Sequence, residues 1–220
     1  MSNGEKPRQP RVFLVNGSPE RSGCTHTALS IIANALAAVG VDSQIFWIGN
    51  RQIAECIGCR RCATTGRCVF DDVVEEFLDE APDYDGFVFG SPVHFSGISS
   101  GMKAFMDRAF YSSRIDDPFR LKPAAVVVSS RRAGSTSAIE QLDKYLELRE
   151  MPIVTSRYWN EVHGYTPEDV FADKEGVEVL QCLAKNMAWM LSCIRAARDV
   201  GIEAPRALSA SERTYTNFMR

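Results

Sequence analysis

Residues 12–27 read VFLVNGSPERSGCTHT. The stretch opens on four apolar residues, Val12-Phe13-Leu14-Val15, bounded by Arg11 and Asn16, which is the length of a strand buried on both faces. Small and polar residues follow: Asn16, Gly17, Ser18 and Pro19, then Ser22 and Gly23. Thr25-His26-Thr27-Ala28-Leu29 then begins a helix, with Ala28, Ile31, Ile32 and Ala35 recurring at helical spacing. Strand, small-residue loop and helix N-terminus form an anion cradle, because unpaired amides and the helix dipole converge there. Hydroxyls of Ser18, Ser22, Thr25 and Thr27 add donors. An ordinary strand-to-helix connection is the plainer reading, and the stretch alone leaves both open.

Two phosphate loops can be measured against it. The triphosphatase pattern G-x-x-x-x-G-K-[ST] fails, because Gly17 and Gly23 are one residue too far apart and Cys24 stands in the lysine position. The dinucleotide pattern G-x-G-x-x-G fails too. The second strand ends in Trp47-Ile48-Gly49-Asn50, with no acidic residue for a ribose. A monophosphate held by amides and hydroxyls survives both tests, as a flavin mononucleotide (FMN) requires.

The whole chain sets bounds. Its 220 residues, 45% of them hydrophobic, suffice for one α/β domain with a full core. A net charge of −3 and a pI of about 5.7 give no basic footprint for nucleic acid. The opening MSNGEKPRQPR is polar, and no run approaches the ~18 apolar residues of a membrane span. Seven cysteines, four of them clustered, suggest a reducing compartment with metal or redox chemistry. The expected location is the cytoplasm, without membrane or nucleic-acid partners.

Taken in order, residues 1–10 read as a loose tail, 11–200 as one domain and 201–220 as a C-terminal extension. The first helix is expected to run to Val39, closed by Gly40. Ser43–Ile48 is a second strand, and residues 50–70 form a cysteine loop. Asp71-Asp72 opens a short helix, Val73 to Glu80, stopped by Pro82. Residues 85–90 are a third strand, followed by a helix burying Met102, Phe105, Met106, Ala109 and Phe110. Residues 123–129 are a fourth strand, and Ser137 with Glu140 predicts a capping box at the next helix. A short fifth strand is expected near Ile153 to Ser156.

Thr166-Pro167-Glu168-Asp169 is a further helix start. The last helix, Lys174 to Arg198, carries the stripe Leu180, Leu183, Met187, Leu191 and Ile194. Trp189 and Met190 lie toward another side, for a partner subunit or the last twenty residues. Cys182 and Cys193 read as small core residues. Pro205, Tyr215 and Phe218 are candidate anchors in the tail. Alternating strands and helices of this kind predict a doubly wound, five-stranded parallel sheet in three α/β/α layers. Ligands of such sheets bind beyond the strands' carboxyl ends at the switch point, where the loops after strands one, three and four would converge.

With these loops placed, residues 11–200 resemble the flavodoxin-like NAD(P)H-dependent FMN reductase family, and within it the iron–sulfur flavoprotein branch. Asn16-Gly17-Ser18-Pro19 with Gly23 and Thr25 is similar to the family's N-G-S-P-R-x-x-G-N-T loop. Gly90-Ser91-Pro92-Val93-His94-Phe95 through Gly101–Arg108 resembles its flavin-ring segment, which usually has tyrosine where His94 stands. Arg131-Arg132-Ala133-Gly134 resembles the loop edging the ring, and Cys56-x2-Cys59-x2-Cys62-x5-Cys68 the compact cluster motif. Glu20 and Cys24 depart from the usual arginine and asparagine, and Arg21 is the residue that would supply the missing charge.

The resemblance implies a phosphate site of Ser18, Arg21, Gly23, Cys24, Thr25, His26 and Thr27. It implies a ring site of Pro92, Val93, His94, Phe95, Ser96 and Gly97, with Ser130, Arg132 and Gly134 on the pyrimidine side. Ser96-Gly97 would let the backbone approach closely. Flavin carries hydride chemistry itself, so no protein side chain is expected to be catalytic. Arg131 and Arg132 would meet a phosphate of NADPH, or lie on a solvated face.

Three cysteines at x2 spacing suit a 4Fe–4S cluster, with Arg60, Arg61 and Arg67 offsetting its charge. Free thiols, zinc and a regulatory disulfide stay open. The expected activity is hydride transfer from NAD(P)H through FMN to a small acceptor: flavin, quinone, nitro compound or oxygen. An electron-carrying iron–sulfur flavoprotein and a cysteine-based redox or metal sensor are the alternatives. A homodimer or dimer of dimers is the expected assembly.

Overall fold

The computed structural model describes residues 8–113, 115–209 and 211–216. Its strands are β1 (Arg11–Asn16), β2 (Asp42–Trp47), β3 (Gly86–His94), β4 (Gly97–Ile98), β5 (Ala124–Ser130) and β6 (Glu161–His163). The helices are α1 (Cys24–Ala38), α2 (Cys62–Thr65), α3 (Val73–Glu80), α4 (Ser100–Ser112), α5 (Ser135–Leu148), α6 (Pro167–Ala172) and α7 (Lys174–Asp199). Five parallel strands lie in the order β2-β1-β3-β5-β6, and β4 pairs antiparallel with the end of β3. The order reverses between β1 and β3, so the crevice beyond their carboxyl ends is where a ligand fits.

Period-two alternation divides the core chemically. Phe13, Phe87 and Phe89 join Phe77, Phe105, Phe110 and Phe119 on one face, beneath α3, α4 and α5. Val12, Leu14, Val88, Ala125 and Val127 face the aliphatic side of α1, α6 and α7. This is the expected three-layer sandwich. The helix starts at Asp72 and Thr166 are capped as their residue types suggest, Thr166 and Asp169 closing a full capping box. Gly40 follows α1 at φ +78°, the left-handed turn that a helix end favours.

Four local expectations are corrected. The fifth strand is Glu161–His163, not residues 153–156. The earlier segment touches β5 only at Ala124–Ile153, with Val154 N–H on the Ala124 carbonyl, before swinging out through exposed residues 157–159. Helix α5 starts at Ser135 behind Gly134, so Ser137 lies inside it and forms no cap. Cys182 is half-buried and Cys193 exposed, because both lie off the stripe formed by Leu180, Leu183, Met187 and Leu191. β3 runs to His94, beyond the expected Gly90, because the chain folds straight back as β4.

Residues 201–209 and 211–216 are exposed throughout, Tyr215 included; Phe218 lies outside the described residues. Arg120 donates to the Pro205 carbonyl at 2.7 Å. Trp189 is exposed on α7, while Met190 packs against the aliphatic core. Among the described residues, no helix is long and apolar enough to cross a membrane.

Asp143 on α5 has a buried Oδ1 without a hydrogen-bond partner. Burial, with the charge of Glu147 adding to it, pushes its carboxyl up to about 6. A carboxyl raised on folding holds its proton longer in the native state, so stability is lost as pH climbs from the unfolded value toward 6. Asp143→Asn is therefore expected to stabilise on the order of 1 kcal/mol at neutral pH, after allowance for solvent screening. Near pH 4 the two proteins should unfold together; equal melting temperatures at both pH values would refute this.

Candidate functional site

The β1–α1 loop is held from several sides. Gly17 N–H donates to the Gly90 carbonyl at 2.8 Å, tying β1 to β3 at the switch point. Ser99 Oγ donates to the Gly17 carbonyl at 2.8 Å, and Trp47 Nε1 to the Ser18 carbonyl at 2.8 Å. Asn16 Oδ1 accepts from Ser18 N–H, and its amide nitrogen donates to the Arg21 carbonyl. A Cβ on Gly17 would lie 2.8 Å from the Gly90 oxygen, so only glycine fits. Gly23 caps α1 with no side chain on the helix start. The amides of Cys24, Thr25 and His26 therefore lack an intrahelical acceptor and point out of the helix end.

The side chains divide. Ser18 is buried, its Oγ accepting from Glu20 N–H at 3.1 Å and keeping its own proton to donate. Thr25 Oγ1 is 2.8 Å from Ser129 Oγ, joining this loop to β5. Thr27 Oγ1 bonds back to the Gly23 carbonyl, and His26 Nδ1 lies 3.5 Å from Ser30 Oγ. The Cys24 thiol faces the Gly164 carbonyl at 3.7 Å, and burial pushes it up in pKa. Its amide, not its sulfur, is what faces the helix end. Arg21 lies over the Trp47 ring, 5.6 Å from the centroid. Glu20 folds across Gly23, where a Cβ would come within 2.9 Å of its Oε2.

Beside this loop stands the β3–β4 hairpin. Its two turn residues, Phe95 and Ser96, have φ of 51° and 60°, the pattern of a type I′ turn. Phe95 is fully exposed, and His94 is exposed beside it. Here the expectation for Ser96-Gly97 is corrected. Gly97 has no positive φ, and its close neighbour is the Gln141 side chain. The glycine that permits close approach is Gly134, at φ +93°, where a Cβ would sit 2.7 Å from Ser96 Cα. Pro92 and Val93 are half-buried at the base of the hairpin. Ser130 Oγ lies 3.0 Å from Ser135 Oγ, leaving Arg131 and Arg132 exposed on the rim. His94, Gly17, Ser99 and Arg51 help to line a cleft of about 290 Å³.

The cysteine loop forms the second half of the site. Cys56, Cys59, Cys62 and Cys68 line one recess with Phe70, Arg108 and Tyr111. Cys62 is buried, and burial followed by the nearby Cys68 pushes its thiol up in pKa, with Cys56 and Cys59 adding to it. Cysteines of the described residues are all free thiols. Among the described residues no three His, Cys, Asp or Glu are grouped closely enough to hold a metal ion. Four thiols around a shared recess are soft donors of the kind that both iron–sulfur clusters and zinc take.

The charge beside the cysteines comes from a different place than expected. Arg67 pairs with Asp79 at 2.7 Å and Glu75 at 3.1 Å, and Arg60 and Arg61 are exposed. Arg108, fully buried on α4, donates from Nε to Cys68 Sγ at 3.3 Å. Its other nitrogens grip both Asp72 oxygens at 2.6 and 2.9 Å and the Phe70 carbonyl at 3.1 Å. Burial works against the charge, but Asp72 and Cys68 outweigh it and raise the guanidinium pKa. Buried Glu75 accepts from Cys68 N–H at 2.9 Å.

Residues 10–166 match the model of a family described as NADPH-dependent FMN reductase. The chain belongs to that family. An iron–sulfur flavoprotein of Methanocaldococcus jannaschii is 31% identical over 192 residues, covering 84% of this chain and 99% of its own. An iron–sulfur flavoprotein of Methanosarcina thermophila is 23% identical, covering 86% and 99%. Among solved structures, RosB with bound 8-demethyl-8-formylriboflavin-5′-phosphate aligns at a TM-score of 0.64 with 12% identity, over 96% of both chains. A WrbA-like flavodoxin from Agrobacterium tumefaciens aligns at 0.59 with 12% identity, over 84% and 99%. These likenesses show a flavodoxin-like fold.

For an FMN reductase family member, the residues missed by sequence reasoning are Arg108, Asp72, Glu75, Ser99 and Trp47. Arg108 had one visible signal. It stands between Phe105 and Ser112 on the buried side of α4, where an apolar residue is the norm.

Proposed function

We propose that this chain is an iron–sulfur flavoprotein of the FMN reductase family, taking electrons from NAD(P)H and passing them on through FMN and a 4Fe–4S cluster. One observation carries the reading: α4 touches both halves of the site. At its N-terminus Ser99 holds the Gly17 carbonyl, and nine residues on Arg108 holds Cys68, a span of about 14 Å along the helix. When bound, flavin supplies two-electron hydride chemistry and the cluster supplies single-electron transfer.

The residues do the holding. Ser18 and the amides of Cys24, Thr25 and His26 bind the phosphate, while Gly23 and Thr27 shape the helix start, Thr27 N–H donating to the Gly23 carbonyl at 3.0 Å. Pro92–Gly97, Ser130, Arg132 and Gly134 enclose the ring, and Arg21 stays at the margin over Trp47. Cys56, Cys59, Cys62 and Cys68 ligate the cluster, and Arg108 offsets its negative charge. Residues 11–200 form the cofactor-binding domain, with 201–220 as an extension. Exposed Arg131 and Arg132 suit the extra phosphate of NADPH. A cytoplasmic homodimer is the setting we infer from the clustered cysteines of the sequence and the exposed Trp189.

Two affinity changes test the phosphate loop. Ser18→Ala should weaken FMN about tenfold, the worth of one charge-assisted hydrogen bond. Glu20→Gln should tighten it a few-fold by removing a like charge from the helix end. Fluorescence titration of the flavin-free protein reads both; unchanged affinity in each would take this loop out of the site. For the activity, anaerobic addition of NADPH should bleach the flavin band near ~450 nm. A flavin reduced by dithionite but not by NADPH or NADH would overturn the donor assignment.

A further inference from the structure

At the opposite end of the sheet, the segments leading into β1, β3 and β5 meet the C-terminal turns of α7 around a cleft of about 450 Å³. Arg8, Lys122, Arg195 and Arg198 face Asp85 and Asp199 across it. Arg8 already grips both Asp85 oxygens at 2.9 and 3.0 Å. Lys122 has no carboxylate partner among the described residues. Its ammonium reaches only the Ala81 and Pro82 carbonyls, at 3.4 and 3.3 Å, and lies 5.6 Å from the Phe87 ring centroid. Arg195 and Arg198 make no ion pair among the described residues.

Burial, then Arg8 and Arg198, lowers the Lys122 pKa against the opposing pull of Asp85 and Asp83. Cations near a helix C-terminus answer its dipole, which accounts for part of the arginine placement. It does not account for Lys122, which stands on the loop before β5. Once Arg8 is subtracted with Asp85, Lys122, Arg195 and Arg198 still outnumber the lining carboxylate Asp199 and the nearby Asp83. That cationic excess suits the negative charge of a phosphate monoester.

The remaining wall is apolar, with Leu121, Pro123, Leu191 and Ile194 lining the same cleft. Its volume falls in the ~300–1,000 Å³ range of ligand sites. We propose that this cleft binds an organic phosphate of about nucleotide size, with Lys122, Arg195 and Arg198 on the phosphate and the apolar wall against its organic part. The site is independent of the flavin loops, from which the full length of the sheet separates it.

Titration calorimetry on the FMN-loaded protein at low salt, with AMP as probe, tests this. Saturable binding is expected, weakened at least tenfold in the double variant Arg195→Ala/Arg198→Ala, whose positions are exposed and should not disturb folding. Lys122→Met should weaken it as well, and Arg132→Ala, at the flavin rim, should leave it unchanged. Inorganic phosphate should bind at least tenfold more weakly than AMP. Absence of AMP binding, loss of binding in Arg132→Ala instead of the double variant, or equal affinity for inorganic phosphate would each overturn the proposal.

Discussion

Arg108→Met is expected to lower stability by about 3 kcal/mol, the low end of the cost of breaking a buried ion pair. The low end applies because Arg108 is wholly buried while Asp72 keeps 31% of its side chain exposed. Methionine nearly fills the volume, so the loss comes from polar groups left behind. Asp72 loses both bonds, the Phe70 carbonyl loses its donor, and Cys68 loses the N–H on its sulfur. Arg108→Lys should recover little, since one ammonium cannot replace a guanidinium fork that reaches five acceptor atoms on four residues. Urea unfolding of cluster-free protein gives the stability change. Iron remaining after desalting gives the second readout, which should fall far below wild type in both variants. A loss under 1 kcal/mol with full iron retention would show that Arg108 neither anchors nor charges the cysteine loop.

Gly134→Ala is expected to cost about 2–4 kcal/mol and to weaken FMN binding at least tenfold. Two penalties add. An L-residue at φ +93° sits in a region that costs roughly 1–2 kcal/mol. The new Cβ also meets Ser96 Cα at 2.7 Å, so the hairpin backbone has to move. That movement opens the rim between the loops after β3 and β5, where we place the ring. Gly101→Ala is the control, because a Cβ there meets nothing within 4 Å and its φ is not positive. It should be neutral or slightly stabilising through the unfolded chain. Equal FMN affinity in Gly134→Ala and wild type would remove the rim from the ring site.

Much of the scaffold was legible because its signals are local. Val12–Val15 followed by small residues can only be a buried strand entering a tight turn, and α4 repeats its apolar stripe through Phe105, Met106 and Phe110. Cysteine spacing also pointed to one shared recess. What escaped reading was set by distant partners. Arg108 meets groups 36 to 54 positions away, and no local pattern names them. β6 carries a single buried apolar residue, Val162, between half-buried neighbours, so its pairing with β5 leaves no periodicity to see. The hairpin turn at Phe95-Ser96 lacks the Asn-Gly or Asp-Gly that normally announces a type I′ turn. Cys24 was read from its position in a motif, whereas its sulfur turns toward the Gly164 carbonyl.

The most direct test of the central claim is the cofactor stoichiometry of anaerobically purified protein: iron, acid-labile sulfide and FMN per chain. A chain carrying one flavin and one cube should yield about four iron, about four sulfide and about one FMN, with iron and sulfide lost together in Cys62→Ser while FMN stays. FMN without iron and sulfide, or zinc in their place, would contradict it.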